Sequence, residues 1–218
     1  MPGYTTRDVP VSIGGTEYLI RALSDLHQFS DPHGDASRAG ISSANWCLFG
    51  QVWPAGIVLA EALGEMDLRG KRILEIGCGL GLSSLVMQRA GGDVTASDYH
   101  PLAEQFLRQN AELNGMAPPR YVDLPWESNQ PELGDFDLIV GADVLYERSH
   151  AALLLGVVAR HGADAGEVLL ADPGRGNSGA FATGMRGLGY EMSETRCAFN
   201  AGEVPPHRGR LLSWKRSA

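Results

Sequence analysis

Long apolar runs are missing from this chain. No stretch approaches the roughly 20 residues that cross a bilayer, and the first residues lack the charged-then-apolar pattern of a secretory leader. Both absences point to a cytoplasmic chain without a membrane partner. Cysteine is scarce: Cys47, Cys78 and Cys197 are odd in number, far apart and without paired metal spacing, which argues against a disulfide framework or a zinc site. The six histidines form no ligand cluster, so no metal is expected. Positive charge is also in short supply. Lys and Arg number 18 against 26 Asp and Glu, for a net charge of −8 and a pI near 5.2, whereas a nucleic-acid binder needs concentrated basic surface to neutralise phosphates. A basic substrate suits such a chain better. Low-complexity segments and internal repeats are absent too.

What is present is enough apolar material for one well-cored α/β domain: 218 residues, 44% of them hydrophobic. The chain is organised around Arg72-Ile-Leu-Glu-Ile-Gly-Cys-Gly-Leu-Gly-Leu82. Ile73, Leu74 and Ile76 read as a buried strand, and Leu80, Leu82, Leu85 and Val86 continue at helical spacing. Between them Gly77, Gly79 and Gly81 lack a Cβ, so the backbone can bend sharply and approach a ligand closely. The spacing differs from the dinucleotide fingerprint, which sets a pyrophosphate on a helix N-terminus. Glu75, inside the strand end, would repel a pyrophosphate and suits a cation such as the amino group of a methionine moiety. The loop therefore reads as an S-adenosylmethionine site, although a turn of this kind also serves as a plain tight βα connection.

Taken in order, Asp8 to Ile13 and Glu17 to Leu23 flank Gly14-Gly15 as a hairpin outside the main sheet. Residues 27–43, rich in Gly, Ser, Asp and Pro, carry no periodicity and read as a mobile loop. Trp46 and Phe49 read as core, while Trp53-Pro-Ala-Gly56, at the start of a helix over 55–63, serves either the core or a ligand. Asp93 to Ser97 is the next strand. It ends at Asp98, placed to accept hydrogen bonds from ribose hydroxyls or to cap the following helix. The helix over 102–114 carries a core stripe. A strand over 121–124 leads to Trp126, which lies over an adenine face or packs in the core. Phe136 to Val140 runs into Gly141-Ala142-Asp143-Val144-Leu145-Tyr146 at the carboxyl edge of the sheet, where ligands bind in open α/β folds. A helix over 149–161, a strand over 167–171, the turn Asp172-Pro-Gly-Arg175 on that same edge and a helix over 181–188 follow. Tyr190 to Phe199 and Arg210 to Trp214 close the sheet as an antiparallel pair joined by a Pro205-Pro206 loop. Arg208, Arg210, Lys215 and Arg216 read as a solvated edge.

Glu75-Ile-Gly-Cys-Gly-Leu-Gly, Ala96-Ser-Asp98-Tyr, Trp53-Pro-Ala-Gly and Asp143-Val-Leu-Tyr146 together resemble the seven-strand (class I) protein lysine methyltransferase family. The resemblance covers about residues 45 to 200. It implies a doubly wound, Rossmann-like seven-stranded sheet in the order 3-2-1-4-5-7-6 with its seventh strand antiparallel. The βα alternation from Arg72 to Leu188, followed by two strands with no helix between them, agrees. Residues 1–45 form a hairpin and loop extension and 46–218 the methyltransferase domain.

The implied chemistry is methyl transfer from S-adenosylmethionine to a lysine of a protein substrate. Trp53, Glu75, Gly77, Gly79, Gly81, Asp98, Trp126 and Ala142 would bind the cofactor, and Asp143 and Tyr146 would handle the lysine. Presenting a neutral lysine amine at pH 7 costs about 4.6 kcal/mol. A carboxylate beside it raises that cost, while the sulfonium and burial lower it. Asp143 is thus assigned to docking and aiming, Tyr146 to orienting the nitrogen or walling the channel, and the rate to alignment. Two rivals share these residues. A small-molecule N- or O-methyltransferase needs residues 27–45 to seal the pocket, and a non-catalytic cofactor-binding module needs neither Asp143 nor Tyr146.

Overall fold

A computed structural model describes residues 3–200 and 207–217; the expected Pro205-Pro206 connection lies outside them. The first two strands, β1 (Thr6–Ile13) and β2 (Thr16–Leu23), pair antiparallel in a sheet of their own. The main sheet contains β3 (Arg72–Ile76), β4 (Asp93–Asp98), β5 (Arg120–Asp123), β6 (Phe136–Ala142), β7 (Gly162–Asp172), β8 (Glu191–Asn200) and β9 (His207–Lys215). Their spatial order is β5-β4-β3-β6-β7-β9-β8, with β9 antiparallel to both its neighbours and the other pairings parallel. This is the expected 3-2-1-4-5-7-6 arrangement.

Alternation along the strands sends neighbouring side chains to opposite faces. Ile73, Leu138, Val140 and Leu169 pack under α2 (Pro54–Gly64) through Leu59 and Leu63. Leu74, Ile139, Val168 and Leu170 pack under α5 (His150–His161) and α6 (Ser178–Gly187) through Leu154, Val157, Phe181 and Met185. Helices on both faces bury the central strands, whose buried residues are apolar with few exceptions such as Glu75. No helix among the described residues is long and apolar enough to cross a membrane.

The hairpin is bound to the domain more tightly than its pattern implied. In α4 (Ala103–Leu113), the Asn110 side chain accepts from Arg21 N at 2.7 Å and donates to the Leu80 carbonyl at 2.9 Å. Asn114 both accepts from Leu19 N and donates to Leu19 O, at 2.9 Å each. Tyr18, Ile20 and Leu23 of β2 share a core with Leu85 of α3 (Leu82–Arg89) and Phe106 of α4.

Two expectations need correction. Residues 27–43 contain a short helix, α1 (Asp35–Arg38), because Asp31 accepts hydrogen bonds from Ala36 N (3.1 Å) and Ser37 N (2.9 Å) while Ala36 and Ile41 are buried. The segment is anchored by two apolar side chains too sparse to register as periodicity. Nor is the basic tail merely solvated: Arg210 pairs with Asp172 at 2.6 Å and donates to Ser178 at 2.9 Å. Arg216 donates to the carbonyls of Gly162, Ala163 and Asp164.

Candidate active site

The carboxyl ends of β3, β4 and β6 and the turn after β7 open onto one cavity of about 420 Å³. Trp53, Glu75, Gly77, Gly79, Gly81, Asp98, Trp126, Ala142, Asp143 and Tyr146 all line it. So do Phe49, read from the sequence as core, and Tyr99, His100 and Arg175, to which the sequence reading gave no site role.

The glycines are needed for a reason beyond ligand approach. Gly79 has φ +50°, and a Cβ there would meet the Phe49 carbonyl oxygen at 2.8 Å. A side chain at Gly81, φ +81°, would strike Leu107. The loop is thus shaped by its protein neighbours, and its backbone faces the cavity as a result.

Asp98 locks that loop. Its Oδ2 accepts from Gly79 N at 2.9 Å, and its Oδ1 from Tyr99 N at 2.8 Å and His100 N at 2.9 Å. It does not cap α4, whose first residue lies five positions on at Ala103. Burial raises its pKa against the opposing pull of these three N–H groups.

Glu75 is buried beside the first turn of α3, with Ser83 and Ser84 as hydrogen-bond donors; Ser84 Oγ donates to its Oε2. Burial pushes its carboxyl up from 4.5 to about 7, and the charged group acting on it is Asp98, another anion. Two buried carboxylates lining one cavity make it electronegative. A ligand with an ammonium and a sulfonium fits that wall; a pyrophosphate does not. Gly77 and Gly79, at the tip of β3, would cradle it, Glu75 would face its cation and Asp98 its hydroxyls.

His100 stacks on Phe49 at 3.7 Å between centroids, and its Nδ1 accepts from Leu102 N at 3.2 Å. Burial pulls its pKa down to about 4, so near neutrality it is an uncharged aromatic wall. Trp53 donates from its indole nitrogen to the Leu48 carbonyl at 2.7 Å, which closes the turn before α2. Trp126 and Tyr146 both meet the His150 ring edge-on, at 4.9 and 4.4 Å. The Tyr146 and Tyr99 hydroxyls hydrogen-bond, and burial raises the pKa of both.

Asp143 departs from its neighbours. Among the described non-glycine residues it has the one positive φ, 54°, and its N–H is held by the Ala171 carbonyl at 2.8 Å. Such strain persists where the surroundings over-determine it, as at functional sites. Its carboxylate forms a two-point ion pair with Arg175 from the turn after β7. The signal for Arg175 was in the sequence: it follows the adjacent strand on the edge that carries Asp143.

The sequence profile of a family described as lysine methyltransferase matches residues 43–180 of this chain. The chain belongs to the lysine methyltransferase family. Similar members include zebrafish protein N-lysine methyltransferase METTL21A, 37% identical over 63% of this chain and 68% of that protein. The electron transfer flavoprotein beta subunit lysine methyltransferase of Xenopus laevis is 35% identical over 71% of this chain. The chain spans 58% of that relative's length. Among solved structures, magnesium protoporphyrin IX methyltransferase from Synechocystis with bound S-adenosylmethionine superposes with a TM-score of 0.58 at 17% identity, covering 88% of each chain. That likeness shows a shared fold. Family membership makes this protein an S-adenosylmethionine-dependent methyltransferase.

Proposed function

We propose that this chain, acting in the cytoplasm, methylates a lysine side chain of a protein substrate, with residues 46–218 as the methyltransferase domain and 1–45 as its extension. The observation that carries the reading is the placement of Asp143 and Tyr146 on the cofactor cavity itself, at the tip of the strand beside Glu75. Relatives named for protein lysines support the choice of acceptor.

In this reading Glu75 holds the methionine ammonium and Asp98 the ribose hydroxyls, while Trp53, Trp126 and Ala142 complete the cofactor wall. When bound, S-adenosylmethionine supplies the electrophilic methyl group. Asp143 docks the incoming ammonium and aims it. Tyr146, braced by Tyr99 and His150, walls the channel so that the nitrogen approaches from one direction. The proton leaves to water, and most of the rate comes from alignment.

The small-molecule alternative requires residues 27–45 to cover the acceptor. Tyr99 is 37% exposed and the Arg175 side chain 48%, which leaves the acceptor region open to a side chain carried by another protein. The net charge of −8 favours a basic partner. Incubating the protein with methyl-labelled cofactor and a lysate from its own source, then mapping the label by mass spectrometry, tests the reading. Label on one lysine of one protein supports it. Label recovered solely in small molecules refutes it.

A further inference from the structure

Both carboxylate oxygens assigned above to docking are already taken by a cation of the chain itself. Arg175 Nε donates to Asp143 Oδ1 at 2.7 Å, and Nη2 to Oδ2 at 2.5 Å. The Asp143 side chain is 15% exposed and the Arg175 side chain 48%, so the anion sits in the cavity wall and the cation reaches it from solvent. Arg175 stands between Gly174 and Gly176, both with φ +89° and with open space where a Cβ would lie. Both backbone conformations favour glycine, and Gly174 N–H donates to Asp172 Oδ1 at 2.9 Å, which seats the turn on the end of β7. The Asp143 N–H is likewise held, by the Ala171 carbonyl. Of the two partners the cation is the more exposed to solvent.

We propose that Arg175 is a specificity-determining residue: a built-in cation that fills the acceptor seat on Asp143 until a cationic amine of the substrate exchanges for it. This rests on the reading of Asp143 as the docking carboxylate. Exchange of one cation for another keeps the carboxylate paired, whereas displacement by a neutral group would leave a partly buried charge without a partner. An anionic or neutral acceptor therefore has nothing to offer in return, and the site discriminates by charge. Arginine suits the part. Its guanidinium stays protonated and is a poor nucleophile, while a lysine there would occupy the acceptor's own position.

R175K provides the test, because it needs no knowledge of the natural substrate. The introduced amine, once neutral, should form a nitrogen–carbon bond to the donor methyl as the carbon–sulfur bond breaks. S-adenosylhomocysteine leaves and the proton passes to water. After incubation with deuterium-labelled donor, peptide mapping should find methyl at position 175 in excess over Lys71 and Lys215, the chain's two native lysines. The R175K/D143N double variant should lose that mark.

A second readout is independent of turnover and uses the wild-type protein without donor. The Arg175 Nε–H resonance should move toward its position in D143N on titration with n-butylammonium, and stay put with n-butanol. An unmodified position 175 in a folded R175K that binds donor by calorimetry overturns the proposal. So does a resonance indifferent to the ammonium. Failure of the wild type to bind donor would instead sink the cofactor assignment, and labelling of a lysate lysine by the wild type beside an inert R175K would sink the role of Arg175 alone.

Discussion

Gly79 N–H donates to the Asp98 carboxylate at 2.9 Å, so the acidic tip of β4 holds the glycine loop of β3 in shape across 19 residues of sequence. One side chain thus serves two ends. It lines the cavity and spends three of its acceptor positions on backbone N–H groups.

Asp98→Ala is therefore expected to cost stability as well as affinity. Leaving these N–H groups unpaired should destabilise the protein by about 1–3 kcal/mol, and cofactor binding should weaken by a similar amount. Urea denaturation alongside calorimetry checks both. Loss of affinity with unchanged stability would show that the loop keeps its shape without Asp98.

If Glu75 holds the cofactor ammonium as proposed, cofactor binding should be proton-linked. Its carboxyl lies at about 7 in the free protein against an ordinary 4.5, so the folded state holds an extra proton between those values. The stability this proton contributes is fully present below 4.5 and lost as pH rises through 7. A bound ammonium favours the charged carboxylate and lowers its pKa. Cofactor binding should then release protons near neutrality, and affinity should rise as pH passes 7. Calorimetry in buffers of different ionisation enthalpy measures the release, which Glu75→Gln should abolish.

Gly79→Ala should be more damaging than Gly77→Ala. A Cβ at Gly79 meets backbone, the Phe49 carbonyl at 2.8 Å, while one at Gly77 stands 3.3 Å from a Val144 methyl. Both also carry the strain of a positive φ. Thermal unfolding should show a clearly larger loss for Gly79→Ala than for Gly77→Ala, and equal losses would deny the contact with Phe49 its role.

Asp143→Asn should keep cofactor affinity within a few-fold yet slow methyl transfer by about 100-fold, the scale of a 1 Å misplacement of the acceptor. Single-turnover rates against pH separate docking from base catalysis. Parallel profiles for the two forms fit docking. Profiles that converge toward pH 9 would mean that a deprotonated lysine no longer needs Asp143, and hence that Asp143 is a base.

Asn110→Ala should loosen the hairpin and the glycine loop together, because Asn110 bridges Arg21 N and the Leu80 carbonyl. The expected loss is about 1–3 kcal/mol, with faster amide exchange at Arg21. Unchanged exchange there would show that the apolar contacts of Tyr18 and Ile20 and the Asn114 bonds to Leu19 hold the hairpin without Asn110.

Local pattern was sufficient for most of the architecture. The apolar run Ile73 to Ile76 is buried on both faces of the sheet, and the interruption at Gly77, Gly79 and Gly81 can be nothing but a turn, so strand, loop and helix follow from consecutive residues. Alternation around Gly14-Gly15 likewise specified the hairpin, whose register depends on neighbours only a few residues apart. Family motifs placed Asp98, Asp143 and Tyr146 on the ligand edge because each ends or follows a parallel strand, and parallel strands share one carboxyl edge.

Partners distant in sequence were another matter. That Arg175 meets Asp143, that Asp98 holds Gly79 and that Asn110 and Asn114 zip onto β2 depends on which strand tips and helix faces become neighbours, and on distances set by packing. Side-chain hydrogen bonds across 19 to 95 residues leave no periodic trace in the chain. The sequence by itself determined the strands and the residues at their carboxyl ends, which follow from short-range pattern, and its resemblance to the family implied their order. Only the tertiary structure decided which charges face one another there, because a carboxylate and a guanidinium choose their partners by proximity in space.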